Sequence, residues 1–380
     1  MDLCQARLRS NPRFRLVPYD RLSPAEQGAF RLLNHDREFY GILFPPPESG
    51  LAPKAVSRDV ALLFLALARP ASLPNLLSDL LGLDVERRLR QLVADQLLEV
   101  ESGGQFVSGP AFIELLEGEQ DGRVASRVAR LSSEAIEYAR ALESPDLAAM
   151  ADCLYRFNAT PATPSLHRRF ASVDRLHAFV QAPPDVQGRL QSDWRCESVA
   201  DRWLAWSCRA AAGPYKLYVS PLLEDLPKVF AVSVRAFAQV GCPTFKLGQG
   251  AFGLLRPDKL VAHFSSLDRL QRAAELIAQG AAEASAQGVP FSAPIDPAGL
   301  LSWGMDPPRF EQAPQAGSAL SWRHWLCERI ATYVVAARQS GGDVQAFVRQ
   351  RIALDGVDPV DWTPDLAIWR APPGTEPEAA

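Results

Sequence analysis

Five basic side chains fall close together in the C-terminal half of the chain: Lys216, Lys246, Arg256, Lys259 and His263. Lys216 lies inside Tyr215-Lys216-Leu217-Tyr218-Val219, whose alternation and strand-forming residues predict a β-strand. Lys246 lies inside a second expected strand, Thr244–Leu247. Arg256, Lys259 and His263 flank or occupy a third, Leu260–Phe264. A charged group in a strand interior either reaches solvent or needs a partner. If the three strands are neighbours, these groups converge on one face and form an anion site, because Arg and Lys donors match phosphate and carboxylate oxygens. The competing reading is a sheet whose lysines are half exposed. Downstream, Ser292–Pro308 reads as a long irregular stretch with Trp303 and Asp306 as its specific-looking groups, followed by Arg309. Asp306 could pair with one of the cations, and Trp303 could anchor the stretch by burying its ring.

Metal chemistry has little support. The other histidines, His35, His167, His177 and His324, form no HExxH or close paired motif, and the six cysteines form no CxxC pair. No metal site and no cofactor are expected. The sparse cysteines fit a reducing compartment, and the first residues lack the apolar run of a signal peptide, so a cytoplasmic location is expected. No segment has the ~20 apolar residues that cross a bilayer. A formal net charge of -4 in 380 residues gives no global basic field for nucleic acid.

The elements that would position these groups suggest an α+β chain. It has an N-terminal extension (1–35), a winged-helix-like domain (36–115), a helical region (120–210), an α/β domain with a small mixed sheet (211–358) and a tail (359–380). Ser23-Pro24-Ala25-Glu26 is a capping box that starts a short helix. Phe39–Phe44 reads as a strand ended by Pro45-Pro46-Pro47. Three helices follow, with Ser57, Ser72 and Asp84 as capping candidates, then a hairpin turning at Gly103-Gly104. Two further helices are expected around 170–210, the second carrying Trp203 and Trp206. Leu226–Val240 and Trp322–Ala337 are expected to be long helices.

The order of elements in residues 36–110 resembles the PqqD-like recognition element of ribosomal-peptide pathways. The resemblance lies in the Tyr40–Phe44 strand, the Ser57-capped helix, the Leu81–Leu97 region and the hairpin through Phe106. It implies leader-peptide binding beside a strand edge and the third helix. Tyr40, Ile42 and Leu43 would then lie on an edge that an extended peptide can join, and Arg87, Arg88 and Arg90 would attract acidic leader residues. A purely structural domain and a DNA-binding winged helix share the same pattern. The charge of 36–110 weighs against DNA, because Asp84, Glu86, Asp95, Glu99 and Glu101 surround the arginines.

The segment Pro243–Ser266 resembles phosphothreonine-lyase-like proteins related to bacterial type III effectors. That resemblance implies elimination of phosphate from phosphorylated Ser or Thr. Lys216, Lys246 and Arg256 would hold phosphate, and His263 or a lysine would handle a proton. Three functions are therefore expected to compete. One is a maturation component that binds a ribosomally made precursor peptide and positions its core, with a metal-dependent peptide-modifying enzyme as partner. The second is the lyase itself, and the third is a winged-helix DNA-binding regulator whose larger domain senses a ligand.

Overall fold

The computed structural model describes residues 1–369 apart from positions 32, 50–52, 82–83, 117–125, 144–145, 201, 209–211, 308–320 and 341–342. Arg309 and half of the expected tail, residues 370–380, therefore lie outside the described residues. The fold is α+β, with an N-terminal sheet-and-helix unit, a largely helical middle and a C-terminal sheet domain. Two compact units divide the chain. Met1–Gln120 and Ala336–Asp355 belong to the first, and Asp121–Gln312, Ala319–Val335 and Gly356–Ala380 to the second. No helix among the described residues is long and apolar enough to cross a membrane.

The first unit runs β1 (Leu8–Ser10), β2 (Arg15–Pro18), α1 (Pro24–Ala29), β3 (Phe39–Phe44), β4 (Lys54–Ser57), α2 (Arg58–Ala66), α3 (Asn75–Leu81), α4 (Val85–Ala94), β5 (Leu98–Ser102), β6 (Gln105–Val107) and α5 (Pro110–Leu116). The capping box at Ser23 forms as expected. Ser57 and Asp84 occupy N-cap positions but make no side-chain cap bond, since Ser57 bonds Asp59 and Asp84 pairs with Arg87. The helix expected to start at Ser72 starts at Asn75. The first 18 residues are woven into both sheets of this unit. β1 pairs with β5 beside the β5–β6 hairpin, and β2 pairs with β3. Phe14, Leu43, Val56, Ala61, Phe64 and Leu97 close one core cluster. Each Leu or Phe buried there contributes roughly 1.5–3 kcal/mol.

This arrangement corrects the expectation for β3. It is the middle strand of β2-β3-β4, antiparallel to both neighbours, so it offers no free edge. Ile42 and Leu43 are fully buried core, and Tyr40 packs against the same cluster. Gly41 lets β2 approach, because a Cβ there would lie 2.3 Å from the Val17 carbonyl oxygen.

The second unit begins with five helices: α6 (Arg127–Ala141), α7 (Leu147–Arg156), α8 (Pro164–Arg169), α9 (Val173–Val180) and α10 (Pro184–Ser192). It continues through β7 (Arg195–Val199), β8 (Trp203–Ser207), β9 (Tyr215–Val219), α11 (Leu226–Val240), β10 (Thr244–Gly248), α12 (Gly250–Leu255), β11 (Leu260–Phe264), α13 (Leu267–Gly280), β12 (Ala293–Pro294) and β13 (Leu301–Met305). Helix α14 (Trp322–Ser340) follows. Helix α15 (Val344–Leu354) belongs to the first unit, where it packs on α4 and α5, and α16 (Leu366–Trp369) belongs to the second. The helix expected to carry Trp203 and Trp206 is instead strand β8. Its burial alternates, with Leu204 and Trp206 inside, which is the period of a strand. Part of the stretch read as irregular is strand β13. The expected tail starts late, since Trp362 and Trp369 are buried and Trp369 meets Trp322 and Trp325 edge to face.

The sheet of this unit has seven strands in the order β12-β13-β9-β11-β10-β8-β7, and each neighbouring pair is antiparallel. Side chains alternate between its faces. One face is apolar: Trp206, Phe245 and Phe264 meet Phe230 and Phe237 of α11. The other face carries the charged groups.

Candidate anion site on the sheet

The strand registers decide which residues share the polar face. His263 of β11 lies opposite both Lys216 of β9 and Thr244 of β10, and Lys246 lies opposite Val261 and Ala205. Residues two apart on a strand point the same way, so Lys216, Tyr218, His263, Lys246 and Trp203 share one face. The three strands expected to be neighbours are neighbours, and three of their basic groups converge. At one side this face is covered by α14. Gly304, opposite Lys216 in the register, makes room for the Trp322 ring, which a Cβ would meet at 2.3 Å.

Arg256, just past α12, is clamped. Its Nε donates to Asp258 Oδ1 at 2.6 Å, and its Nη2 donates to Asp258 Oδ2 and to the Tyr155 hydroxyl, both at 2.8 Å. Its guanidinium carbon lies 4.6 Å from the Trp203 ring centre and 5.3 Å from that of Tyr155. Nη1 has no partner among the described residues, so a fixed fork presents one free edge. Asp258 is buried and shared with Arg323 of α14 at 2.9 Å. Burial alone would raise the Asp258 pKa, but Arg256 and Arg323 pull it well below the usual carboxylate range. Tyr155 is pushed up to about 12 by burial and by the Asp258 charge, which keeps its hydroxyl as a donor to that carboxylate.

The lysines differ in their partners. Lys216 is buried and pairs with Asp306 Oδ1 at 2.6 Å, as expected for Asp306. Lys246 makes no ion pair or hydrogen bond among the described residues. Its ammonium sits 4.5 Å from the Trp203 ring centre. Burial and the Lys216 charge lower its pKa to about 8. His263 is held neutral, well below its ordinary value, by burial and then by Lys216 and Lys246. Four cations (Lys216, Lys246, Arg256 and Arg323) thus face two carboxylates (Asp258 and Asp306), a surplus of two positive charges. That imbalance, with Lys246 and Arg256 Nη1 unpaired, is the electrostatic form of an anion receptor.

Two expected residues stay outside this cluster. The buried Lys259 ammonium donates to the Pro221 carbonyl at 2.7 Å and to the Gln287 side chain. Burial lowers its pKa to about 7, and internal oxygens satisfy it. Trp303 is half-buried and, paired with Leu217, faces the opposite side of the sheet. In the first unit the three arginines are engaged by their own surroundings. Arg87 pairs with Asp84 and donates to the Leu354 carbonyl, Arg88 reaches Asp59 and the Leu81 carbonyl, and Arg90 pairs with Glu86 and donates to the Met1 carbonyl. Among the described residues, the one group with metal-ligand spacing is Asp2, Cys4 and Glu86. The Glu86 oxygens there already accept from the Leu3 amide and Arg90.

Sequence reasoning missed Tyr155, Trp203, Tyr218, Asp258 and Arg323. Asp258 lies two residues from Arg256 and could have been found as its partner. Tyr155 and Arg323 come from distant helices and leave no local signal.

No family model matches the chain, and no curated protein matches it. Among solved structures, the effector protein from Pseudomonas syringae pv. syringae strain 61 is similar with a TM-score of 0.38 and 12% identity, over 63% of this chain and 98% of that one. The effector protein from Pseudomonas syringae pv. tomato strain DC3000 gives 0.38 and 13%, over 62% and 96%. A phosphothreonine lyase effector protein from Chromobacterium violaceum gives 0.25 and 12%, over 43% and 99%. These are weak structural likenesses, and the PqqD-like resemblance has no counterpart among them.

Proposed function

We propose that the second unit eliminates phosphate from phosphorylated Ser or Thr residues of a peptide. The observation that carries this reading is Lys246: a half-buried cation, left without a counter-ion among the described residues, next to a clamped arginine with one free edge. An isolated charge is costly to bury unless it is paired. An incoming phosphate offsets that cost when Lys246 is charged, and in the reactive fraction, with Lys246 neutral, Lys216, Arg256 and Arg323 still exceed Asp258 and Asp306 by one positive charge.

Each group then has a chemical task. Arg256 Nη1 and Lys216 hold phosphate oxygens. Lys246, with a pKa of about 8, is neutral in a useful fraction of molecules near neutral pH and takes the proton from Cα of the phosphorylated residue. The electron pair of that C–H bond becomes the Cα=Cβ double bond. The Cβ–O bond breaks, and its pair leaves with phosphate. His263 is neutral in the empty site because two lysines repel its proton. Bound phosphate cancels that repulsion, so His263 gains a proton and can give it to the departing oxygen.

The test is incubation of the purified chain alone with a phosphothreonine peptide, followed by mass spectrometry. Loss of the elements of phosphoric acid, with a new unsaturated residue, is expected. Replacement of phosphate by hydroxyl would instead mean hydrolysis. No change without a second protein would return the chain to the scaffold role, positioning a precursor for a partner enzyme.

For the first unit we propose recognition of the peptide that carries those residues, a ribosomally made precursor. Its winged-helix-like order of α2, α3, α4 and the β5–β6 hairpin supports that reading. With β3 enclosed, a pairing segment would have to use the outer edge of β2 or β4. Arg87, Arg88 and Arg90, with their internal partners, do not contribute to this reading or to a DNA-binding one.

A further inference from the structure

We propose that β7 is a docking edge for the substrate, and that an extended segment flanking the phosphorylated residue pairs with it as an added strand. The inference rests on the peptide-lyase reading and assigns that site a second point of contact. β7 is the terminal strand of the sheet that bears the cation cluster, and all five of its residues are exposed. It contains neither Pro nor Gly, so every residue can donate to and accept from a neighbour. In an antiparallel pair alternate residues turn their N–H and C=O groups away from the partner. Among the described residues no strand pairs with the outer side of β7, which is therefore a row of backbone groups that an extended chain can satisfy. The opposite margin of the sheet cannot serve equally. β12 has two residues, and one of them, Pro294, has no N–H.

The register joins this margin to the chemistry. Glu197 of β7 lies opposite Ala205 of β8, which lies opposite Lys246 of β10, all on the polar face. A strand added outside β7 would run three strand spacings from β10, about 14 Å at ~4.8 Å each. A chain leaving that strand needs roughly four to five residues, at ~3.3 Å each, to lay a phosphorylated side chain beside Lys246. The occupant is thus a segment about that far along the chain from the modified residue, recognised mainly through its backbone.

The experiment uses the full chain and two labelled phosphothreonine peptides. One has two residues on each side, and the other is extended to about ten on each side, enough to reach β7 by this geometry. Binding is followed by fluorescence anisotropy. The long peptide is expected to bind at least about tenfold tighter, a gain of ~1.4 kcal/mol. N-methylation of alternate flanking amides is the decisive control. Methylation in one phase should abolish the gain and in the other should leave it, because a paired strand uses every second amide. Equal binding of the two peptides, or equal loss in both phases, overturns the proposal. So does self-association of the free chain that Glu197→Pro or Ser198→Pro dissolves, since β7 would then serve a second copy. Short-peptide binding that ignores Lys246→Met would instead remove the anion-site reading, while the length and phase effects would still decide the edge.

Discussion

The role given to Lys246 predicts that two neighbours move its titration in opposite directions. Trp203 favours the charged lysine, with the ammonium 4.5 Å from the ring centre. A contact of that kind is worth ~0.5–2 kcal/mol, and 1.36 kcal/mol is one pKa unit, so Trp203→Leu should lower the Lys246 pKa by about 0.4–1.5 units. Lys216 acts the other way, as the like charge that, after burial, depresses Lys246 most. Lys216→Met removes it and leaves Asp306 uncompensated, and both changes raise the Lys246 pKa. The assay is the pH dependence of kcat/KM for elimination, which reports groups of the free enzyme. With Lys246 as base, the rate should rise with pH through about 8. The midpoint should shift to lower pH in Trp203→Leu and to higher pH in Lys216→Met. The second ionisation of the substrate phosphate, near 6, should stay fixed in all three and serve as an internal reference. A rate that falls through pH 8 would mean that Lys246 works only as a cation. Shifts of the same sign in both variants would refute the electrostatic reasoning.

Three further outcomes follow from the packing. Asp258→Asn leaves Arg323 buried without its carboxylate and should cost about 3–5 kcal/mol, read from urea unfolding, with loss of activity as Arg256 is released. His263 has a pKa lowered in the folded state, so below about 6.5 the unfolded chain binds the extra proton and the folded chain does not. Its contribution to stability is therefore full above that pH and is lost as pH falls, and His263→Gln should flatten this part of a plot of Tm against pH. Gly304→Ala drives a Cβ into the Trp322 ring and should destabilise by at least ~1–3 kcal/mol in the same unfolding assay.

What could be read from the sequence followed from local period. Tyr215–Val219, Leu260–Phe264 and Leu226–Val240 each repeat their own geometry along the chain, and all three form as expected. Convergence of Lys216, Lys246 and His263 was conditional on strand order, which only the registers provide. Trp203-Leu204-Ala205-Trp206-Ser207 is too short and too apolar for period to separate helix from strand. That ambiguity hid the aromatic ring on which two cations rest. β3 looked like an available edge because its second partner, Arg15–Pro18, lay in residues set apart as an extension. The clamp on Arg256 was invisible for another reason: Tyr155 and Arg323 stand 101 and 67 positions away from it in the chain.

The same unit shows that the fold can satisfy a buried cation when nothing else is asked of it. Lys259 has a carbonyl and a side-chain amide, Lys216 has Asp306, and Arg323 has Asp258. Lys246 has cross-strand neighbours in the positions where a counter-ion would fit, but they are Ala205 and Val261. Directly opposed residues on one face lie close enough for an ion pair, worth roughly 0.2–1 kcal/mol in an antiparallel sheet. Ala205→Asp should therefore supply the missing partner without disturbing the strands, keeping Tm unchanged or slightly raised. It should also raise the Lys246 pKa, neutralise part of the charge surplus and repel the substrate phosphate. Loss of the base should cost at least about 10²-fold in kcat/KM. A stable Ala205→Asp protein that eliminates phosphate at the original rate would show that the unpaired lysine is incidental. A stable and inactive one would mean that the absent carboxylate is what leaves room for the anion.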